Sequence, residues 1–344
     1  MRKLLNTLYV TNPDIYLTKD GENVVARLNQ QEVMRVPVLN LEGIVCFSYA
    51  GASPRLMAMC AERNIGMCFL TPNGSFLARV SGKTQGNVLL RRAQYRFADD
   101  EQWSLSLSRN IIAAKLFNSR KVLDRFRRDH PQLISNPDNY QITSALLDTD
   151  RHNALAAQSI DYLRGLEGDA ANAYFSLFNT MITSREPAFA FHGRNRRPPK
   201  DPVNCLLSFA YTLLAHEVQS ALETVGLDPY VGFMHTDRPG RASLALDLME
   251  EFRAYLADRL VLSLINRAQV MPADFIENGQ DNVIMTDNCK KTVIAAWQKR
   301  KKDTLVHPYL QESVPIGLLP YIQAMLLARY IRGNLDGYPV FLIQ

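Results

Sequence analysis

Residues 15–26, with the sequence IYLTKDGENVVA, have the pattern of a β-hairpin. Two apolar, β-prone runs, Ile15–Leu17 and Val24–Ala26, flank the polar segment 19–22, which contains Asp20 and Gly21. Because an Asp-Gly pair accommodates the positive φ angles of a tight hairpin turn, the pattern predicts two antiparallel strands joined at this point. The N-terminal part of the sequence is therefore expected to be β structure.

Further short strands are predicted from the apolar runs Val33–Val38, Gly43–Ser48, Met67–Leu70 and Phe76–Val80. The last two runs flank Pro72-Asn73-Gly74, a second hairpin signal. Between the strands, Ser53 and Pro54 are typical of a helix start and favour one helix over Arg55–Glu62. We predict a small, mainly β N-terminal domain over residues 1–84, which carries this helix as an insertion.

The pattern changes near residue 85. The stretch 81–86 is polar and contains glycine, and a strongly charged stretch then runs to Asp100, so we predict a linker over 85–100. From residue 101 onward apolar residues recur three and four positions apart, which is the helical period. The helical segments are Leu105–Phe126, Ala154–Ile182, Asn204–Thr224, Leu244–Arg267, Lys290–Lys302 and Pro315–Arg332. The predicted fold class is α+β, with an all-α domain over residues 101–344 after the β domain.

Composition limits the classes of protein that the chain can represent. Its 344 residues suit about two domains, and 47% hydrophobic with 21% charged residues is typical of a folded protein. The net charge of +5 permits a polyanionic partner without demonstrating one. The five cysteines have no C-x-x-C spacing, which argues against a disulfide framework and a zinc ribbon. Asn6 interrupts the first apolar run too early for a signal peptide, and we expect a soluble cytoplasmic protein.

Several common catalytic motifs are absent from the sequence. His216-Glu217 begins an H-E-x-x-H pattern, but Ser220 stands where the second histidine should be. The run Gly82–Thr84 is similar to the end of a P-loop, but Leu77 occupies the position of its first glycine. No G-x-S-x-G or G-x-G-x-x-G motif occurs. The zinc-protease, NTPase, common hydrolase and dinucleotide-binding classes are therefore not supported.

Glu167 lies between two glycines in a helical pattern. Each of Gly165 and Gly168 costs about 1 kcal/mol relative to alanine inside a helix, so the pair needs a reason. One reason is close helix packing, and the other is room for a ligand beside Glu167. Taken alone, the pattern favours packing.

A basic loop precedes the helical segment that starts near Asn204. Four cations lie within seven residues, namely Arg194, Arg196, Arg197 and Lys200, and three prolines keep this stretch out of a helix. Such a loop can contact phosphates. A solvated loop accounts for it equally well.

A histidine and three carboxylates form the third candidate segment. His235 lies in a turn-rich stretch, and Ser243 can start a helix on which Asp247, Glu250 and Glu251 share one face. Carboxylates together with one imidazole suit a Mg²⁺ or Mn²⁺ site, which stabilises the charge on a phosphodiester under attack. The residues alone thus favour metal-dependent phosphodiester chemistry.

The segments Arg164–Ala171, Arg196–Asn204 and His235–Arg253 closely resemble the CRISPR-associated adaptation integrase/endonuclease family (Cas-one). The resemblance extends over essentially the whole chain and keeps the order of the three segments. It looks most similar to the subtype I-C branch. It implies an N-terminal β domain joined to an all-α catalytic domain, and a homodimer formed through the β domain.

The resemblance also implies roles for individual residues. Glu167, His235 and Glu250 fall on the family's metal ligands, which are the catalytic residues, and the metal would be Mg²⁺ or Mn²⁺. Asp247 falls on the family's other acidic position, where it would bind a second ion or orient the ligands. Basic positions that would contact DNA are Arg196, Arg197, Lys200, Arg238 and Arg253.

The implied function is spacer acquisition. A free 3′-hydroxyl of the protospacer DNA would attack a phosphodiester of the CRISPR repeat, in a complex with the small partner Cas-two. The same centre could instead use water and act as a DNA nuclease without integration. Two other classes remain open at this point, a non-catalytic DNA-binding subunit and a metal-dependent hydrolase of a small phosphate.

Overall fold

The computed structural model of the protein describes residues 6–63, 65–71, 76–80, 82, 88–134, 136–196, 198–279 and 282–344. The chain divides into two units. The first comprises Met1–Gln85, Met285–Thr304 and Pro315–Leu318, and the second comprises Gly86–Ile284, Leu305–Val314 and Leu319–Gln344. Within the described ranges, no helix is long and apolar enough to cross a membrane.

The N-terminal region consists mainly of strands. Its elements are β1 (Thr7–Val10), β2 (Tyr16–Asp20), β3 (Asn23–Leu28), β4 (Gln31–Pro37), β5 (Gly43–Cys46), α1 (Pro54–Glu62), β6 (Gly66–Leu70) and β7 (Phe76–Val80). Strands β2, β3 and β4 form an antiparallel sheet, and Gly21 turns between β2 and β3 with φ +54°. The predicted hairpin is therefore confirmed. A second sheet has the order β1-β5-β6-β7, in which only β6 and β7 are antiparallel. The turn predicted at Pro72-Asn73-Gly74 lies outside the described residues.

Helix α1 begins where the sequence predicts it. The Ser53 side chain accepts a hydrogen bond from the Leu56 N–H (3.3 Å), which caps the helix before Pro54. Leu56 on this helix is buried in a core that it shares with Leu17 and Ile44. The mainly β N-terminal region with an inserted helix is thus confirmed.

Helices dominate the rest of the chain. They are α2 (Val88–Asp99), α3 (Glu101–Asp129), α4 (Pro137–Ala156), α5 (Ile160–Ser176), α6 (Pro202–Val225), α7 (Ser243–Met249), α8 (Arg259–Asn266), α9 (Asp287–Lys302) and α10 (Leu319–Ile331). Helix α9 belongs to the first unit and the others to the second. Within the second unit, α3 packs against α4 and α5, and α6 packs against α10. The α+β class with a mostly helical C-terminal part is confirmed.

The predicted all-α character is only approximate. Strand β8 (Phe275–Glu277) pairs with β9 (Val283–Met285), and β10 (Thr304–Val306) pairs with β11 (Ser313–Pro315). Each strand has three residues, which is too short for an alternating pattern to be recognised in the sequence. Residues 285–304 and 315–318 also group with the first unit, although they fall within the range predicted as the helical domain.

The stretch predicted as a linker, 85–100, contains helix α2 instead. Leu90 and Gln94 are buried on one side of it, while most of its charged residues face solvent. The Gln94 amide donates to the carbonyls of Asp228 (2.8 Å) and Val231 (3.0 Å) and accepts from the Asp228 N–H (2.9 Å). Helix α2 therefore fixes the segment that leads to His235.

One predicted helix, Leu244–Arg267, is interrupted in the structure. Helix α7 ends at Met249, residues 250–252 form a turn, and Arg253–Asp258 form a π-helical segment before α8. Such segments are frequent at functional sites. The interruption lies at Glu250 and Glu251, and it determines which way their carboxylates point.

Candidate active site

Two carboxylates from different elements meet at one lysine. Lys115 Nζ, from α3, lies 2.5 Å from Glu167 Oε1 on α5 and 2.8 Å from Glu250 Oε2 just after α7. The side chains are 10%, 22% and 4% exposed, respectively. Two of the predicted catalytic residues are therefore brought together, and a cation that the sequence analysis does not single out lies between them.

Glu250 is held from a second side by Arg253. The Arg253 guanidinium donates to both Glu250 oxygens, at 2.8 and 3.1 Å. Burial by itself raises the pKa of Glu250, but the charges of Arg253 and Lys115, with a contribution from His235, outweigh burial and lower that pKa to about 2. Glu250 is therefore ionised at neutral pH, as a metal ligand must be.

Arg253, which is predicted to contact DNA, makes two contacts within the protein. The Arg253 guanidinium lies 4.4 Å from the centre of the Tyr211 ring and is engaged with Glu250. Tyr211 in turn donates to Asp258 (2.6 Å), a carboxylate whose pKa is raised by burial. Stacked on Tyr211 and donating to Glu250 through Nη1, the guanidinium holds Glu250 in place.

Asp247 fixes the second half of the centre. This fully buried carboxylate accepts the backbone N–H groups of Phe233 (2.7 Å), Met234 (3.1 Å) and His235 (3.0 Å). It also pairs with His235 Nδ1 at 2.6 Å. Because both oxygens are used, Asp247 orients His235, and the alternative role as ligand of a second ion is disfavoured. Because Nδ1 of His235 is bound to the Asp247 carboxylate, Nε2 of the same ring is the nitrogen whose lone pair can bind an electrophile.

The loop that carries His235 has two further supports. At Gly232 an added methyl group would lie 2.7 Å from the Ser243 Cβ and 2.9 Å from an Asp247 oxygen, so only glycine lets the loop approach α7 this closely. Arg164 on α5 donates to the Met234 carbonyl (2.5 Å) and to the Thr236 hydroxyl (3.0 Å). These contacts tie the histidine loop to the helix that carries Glu167.

Glu251 does not share a face with its neighbour Glu250, so that prediction is wrong. It is buried and accepts hydrogen bonds from the Phe341 N–H (2.7 Å), the Tyr338 hydroxyl (2.8 Å) and the Gln323 amide (3.0 Å). Burial raises the pKa of Glu251 to about 7, although these hydrogen bonds oppose that rise. The interruption after α7 thus directs one carboxylate to the site and the next to the C-terminal segment.

Gly165 and Gly168 are exposed and face open space. An added methyl group at Gly165 or Gly168 would meet no atom within 4 Å, apart from the backbone of its own helix and its chain neighbours. The expectation that these glycines serve helix packing is therefore wrong.

The basic loop divides into an anchored part and an exposed part. Arg194 donates to the side chains of Asn204 (2.7 Å) and Ser208 (3.1 Å), which attach the loop to α6. Arg196 and Lys200 are exposed, as is Arg238 on the histidine loop. Arg197 lies outside the described residues.

The donor set suits a hard divalent cation. Among the described residues, no three His, Cys, Asp or Glu side chains already surround a common point that could hold a metal. The ammonium of Lys115 instead lies where the oxygens of Glu167 and Glu250 converge, and it stands in for a cation there. Two carboxylates and an oriented imidazole are donor groups that suit Mg²⁺ or Mn²⁺.

Sequence reasoning misses Lys115, and a signal for it exists. The residue interrupts the apolar run Ile111–Leu116 of a buried helix, where an unpaired lysine would be costly. A charged residue on a buried face requires an opposite charge, so the lysine indicates a carboxylate partner elsewhere in the chain.

Comparison of the fold places the chain in a known structural class. It superposes on a casposase bound to integration product with a TM-score of 0.83 and 22% identity, over 97% of this chain and 92% of that one. A Cas1 protein from Thermotoga maritima gives a TM-score of 0.80 and 21% identity, over 98% and 100%. At these identities the likeness establishes the fold alone.

Sequence comparison then identifies the family. The family model "CRISPR associated protein Cas1" matches residues 8–299. CRISPR-associated endonucleases Cas1 from Chlorobaculum tepidum and Rhodospirillum rubrum are each 49% identical, over 99% and 98% of both chains, respectively. The chain belongs to the Cas1 family, which confirms the resemblance seen in its motifs and the prediction of an enzyme of the nuclease/integrase class.

Proposed function

We propose that this protein is the integrase of CRISPR adaptation, which joins the 3′-hydroxyl ends of a protospacer to the CRISPR repeat. The observation that carries the proposal is the convergence of Glu167 and Glu250 on one cation position, beside a histidine oriented by Asp247. The reaction is a transesterification, in which one phosphodiester forms as another breaks. Membership in the Cas1 family supports this reaction class.

Glu167, His235 and Glu250 would hold Mg²⁺ or Mn²⁺. When bound, such an ion supplies a positive charge that activates the attacking oxygen and stabilises the crowded phosphate. Asp247 keeps the Nε2 side of His235 available, and Arg253 keeps Glu250 ionised and in place. These contacts exist before any ligand arrives, so the donor groups need little reorganisation.

Exposed cations near the site would bind the DNA backbone. Arg238 lies on the same loop as His235, and Arg196 and Lys200 lie on the basic loop before α6. We assign Arg197 of that loop to the same role.

The partners follow from the family. A solved neighbour with 23% identity and a TM-score of 0.81, over 97% of this chain and 36% of that one, is a Cas6-RT-Cas1–Cas2 complex. We propose that this chain likewise works with Cas2 on protospacer and repeat DNA. It would do so as a homodimer formed through its N-terminal β domain. The motif resemblance further supports subtype I-C.

Hydrolysis is the second candidate function. It is favoured by the names of the Chlorobaculum tepidum and Rhodospirillum rubrum relatives, which are called endonucleases. The same centre serves both reactions, because only the attacking oxygen differs. Water gives a nick, whereas a DNA 3′-hydroxyl gives a joined product.

A strand-transfer assay tests the proposal. Wild type, Glu167→Ala and the control Asp169→Ala, an exposed carboxylate on the same helix, are incubated with a supercoiled plasmid carrying a CRISPR repeat and a short duplex with free 3′-hydroxyls. Each is assayed with Mn²⁺ or EDTA, and with or without Cas2. We expect joining that requires metal and Glu167 but not Asp169. Nicking without joining in the presence of Cas2 would support the nuclease instead, and normal joining by Glu167→Ala would refute the site.

A further inference from the structure

We infer that Lys115 is a built-in substitute cation, which holds Glu167 and Glu250 together in the metal-free protein and leaves its place between them when a divalent ion binds. This inference rests on the metal centre of the proposed function. It assigns a positioning role to a residue that neither the motifs nor the family comparison singles out.

The contacts show that Lys115 occupies a cation position. Its Nζ lies 2.5 Å from Glu167 Oε1 and 2.8 Å from Glu250 Oε2, while a divalent ion takes carboxylate oxygens at about 2.0–2.6 Å. Without a cation at this point, two carboxylates would face each other in a site where Glu250 is only 4% exposed. Such an arrangement strongly disfavours having both groups ionised.

The ammonium and a divalent ion cannot share the position. A protonated lysine has three N–H donors and no lone pair, so it cannot become a ligand of the metal. A dication placed on the same carboxylate oxygens would also lie within a few ångströms of the ammonium, and the two charges repel each other. Binding of the metal therefore requires that Nζ move away.

The neighbouring arginine has the opposite character. Arg253 also pairs with Glu250, but its planar group is stacked on Tyr211 and uses both Glu250 oxygens. Lys115 makes a point contact at the end of a flexible four-carbon stem. The chain thus provides one permanent countercharge and one exchangeable countercharge for the same carboxylate.

An exchangeable cation has two measurable consequences. In the absence of metal, Lys115 stabilises the folded protein, because it neutralises the carboxylates. In the presence of metal it is a competitor, because its ion pairs must break before the ion can bind. A lysine with a purely structural role would contribute equally in both conditions.

The experiment compares wild type with Lys115→Met, which keeps the length of the side chain and removes its charge. The control is Lys121→Met on the same helix, where the ammonium lies 5.3 Å from the Phe117 ring. Apparent melting temperature is measured in EDTA and in Mn²⁺, and Mn²⁺ affinity is measured by calorimetry without DNA. For Lys115→Met we expect melting about 5 °C or more lower in EDTA, recovery in Mn²⁺, and at least about tenfold tighter Mn²⁺ binding. The control should match wild type.

The outcomes separate this inference from the metal centre on which it rests. If wild type binds Mn²⁺ and Lys115→Met binds it no more tightly, or melts lower in EDTA and Mn²⁺ alike, the exchange is refuted and the metal centre stands. If wild type itself binds no Mn²⁺, both are refuted. Should Lys115→Met fail to fold, the double variant Lys115→Met/Glu167→Gln removes one charge of each sign. This variant should then fold in EDTA, and its failure to do so would overturn the inference.

Discussion

Replacing Asp247 with asparagine should lower the stability of the second unit and disturb the orientation of His235. Each carboxylate oxygen of Asp247 accepts two hydrogen bonds, one oxygen from Phe233 and Met234 N–H and the other from His235 N–H and Nδ1. The NH₂ group of asparagine would oppose the Phe233 and Met234 N–H groups in one orientation and the His235 N–H in the other, where Nδ1 can accept only if the imidazole changes its tautomer.

The magnitude follows from this count. Either orientation replaces a charged acceptor of four hydrogen bonds at a fully buried position, and a hydrogen bond to a charged group is worth about 1.5–3 kcal/mol. We therefore expect the free energy of unfolding to fall by about 3 kcal/mol or more. Because the Nδ1 partner also fixes the histidine tautomer, strand transfer should fall by about 10–100-fold or more.

Denaturant unfolding in EDTA, followed by circular dichroism, measures the stability loss, and the plasmid assay measures activity. Asp169→Asn is the matched control, since that carboxylate is exposed on α5 and its replacement should change stability by no more than about 0.5 kcal/mol. A loss below about 1 kcal/mol for Asp247→Asn, together with unchanged strand transfer, would refute the assignment of Asp247 as the residue that orients His235.

Three further predictions concern other parts of the second unit. Gly232→Ala should cost about 1–3 kcal/mol of unfolding free energy by overpacking against Ser243, whereas Gly165→Ala, with open space around it, should be neutral or stabilising in the same measurement. His307 is buried, and burial lowers its pKa below the usual value. Its neutral form is therefore favoured in the folded state, so melting temperature should fall as the pH drops below about 6.5, and His307→Asn should flatten that dependence. Arg238→Ala should weaken DNA binding and reduce the slope of log K against log salt by about 1, without changing sequence preference.

Each of these predictions has a result that would contradict it. Equal stability of the two glycine variants would contradict the close approach at Gly232. A pH profile that is as steep in His307→Asn as in wild type would exclude that histidine as its source, and His152→Asn, at an exposed position, is the control. An unchanged salt slope for Arg238→Ala would mean that this side chain does not contact phosphate.

The parts of the fold that could be predicted depend on local chemistry. The turn at Gly21 and the cap at Ser53 follow from residues that are adjacent in sequence, and both are confirmed. Helix α2 was not predicted, because its charged residues are typical of a linker. Its buried residues are few, and one of them, Gln94, is polar, so no apolar helical period stands out. The break after Met249 leaves no trace in the pattern, since apolar residues recur through it at the helical period.

The site was predictable to a similar degree. Glu167, His235 and Glu250 stand in motifs that the family resemblance identifies, whereas their partners are set by tertiary contacts. The pairing of Lys115 on α3 with Glu250 joins elements far apart in sequence. The role of Arg253 depends on Tyr211, a residue that no motif connects with it.

The C-terminal segment makes part of the acidic centre form late during synthesis of the chain. The Asn118 amide donates to the Glu251 and Phe341 carbonyls and accepts from the Ile343 N–H, from which it is separated by 225 residues. At about 5–20 residues per second, a ribosome needs roughly 11 to 45 seconds to pass from one to the other. Until then Glu251, which follows Glu250 in the turn, lacks its hydrogen bonds from Tyr338 and Phe341. A nascent chain that has not yet reached residue 338 therefore lacks the Tyr338 and Phe341 contacts to Glu251, so the segment beside Glu250 is held in place only after residue 341 has been synthesised.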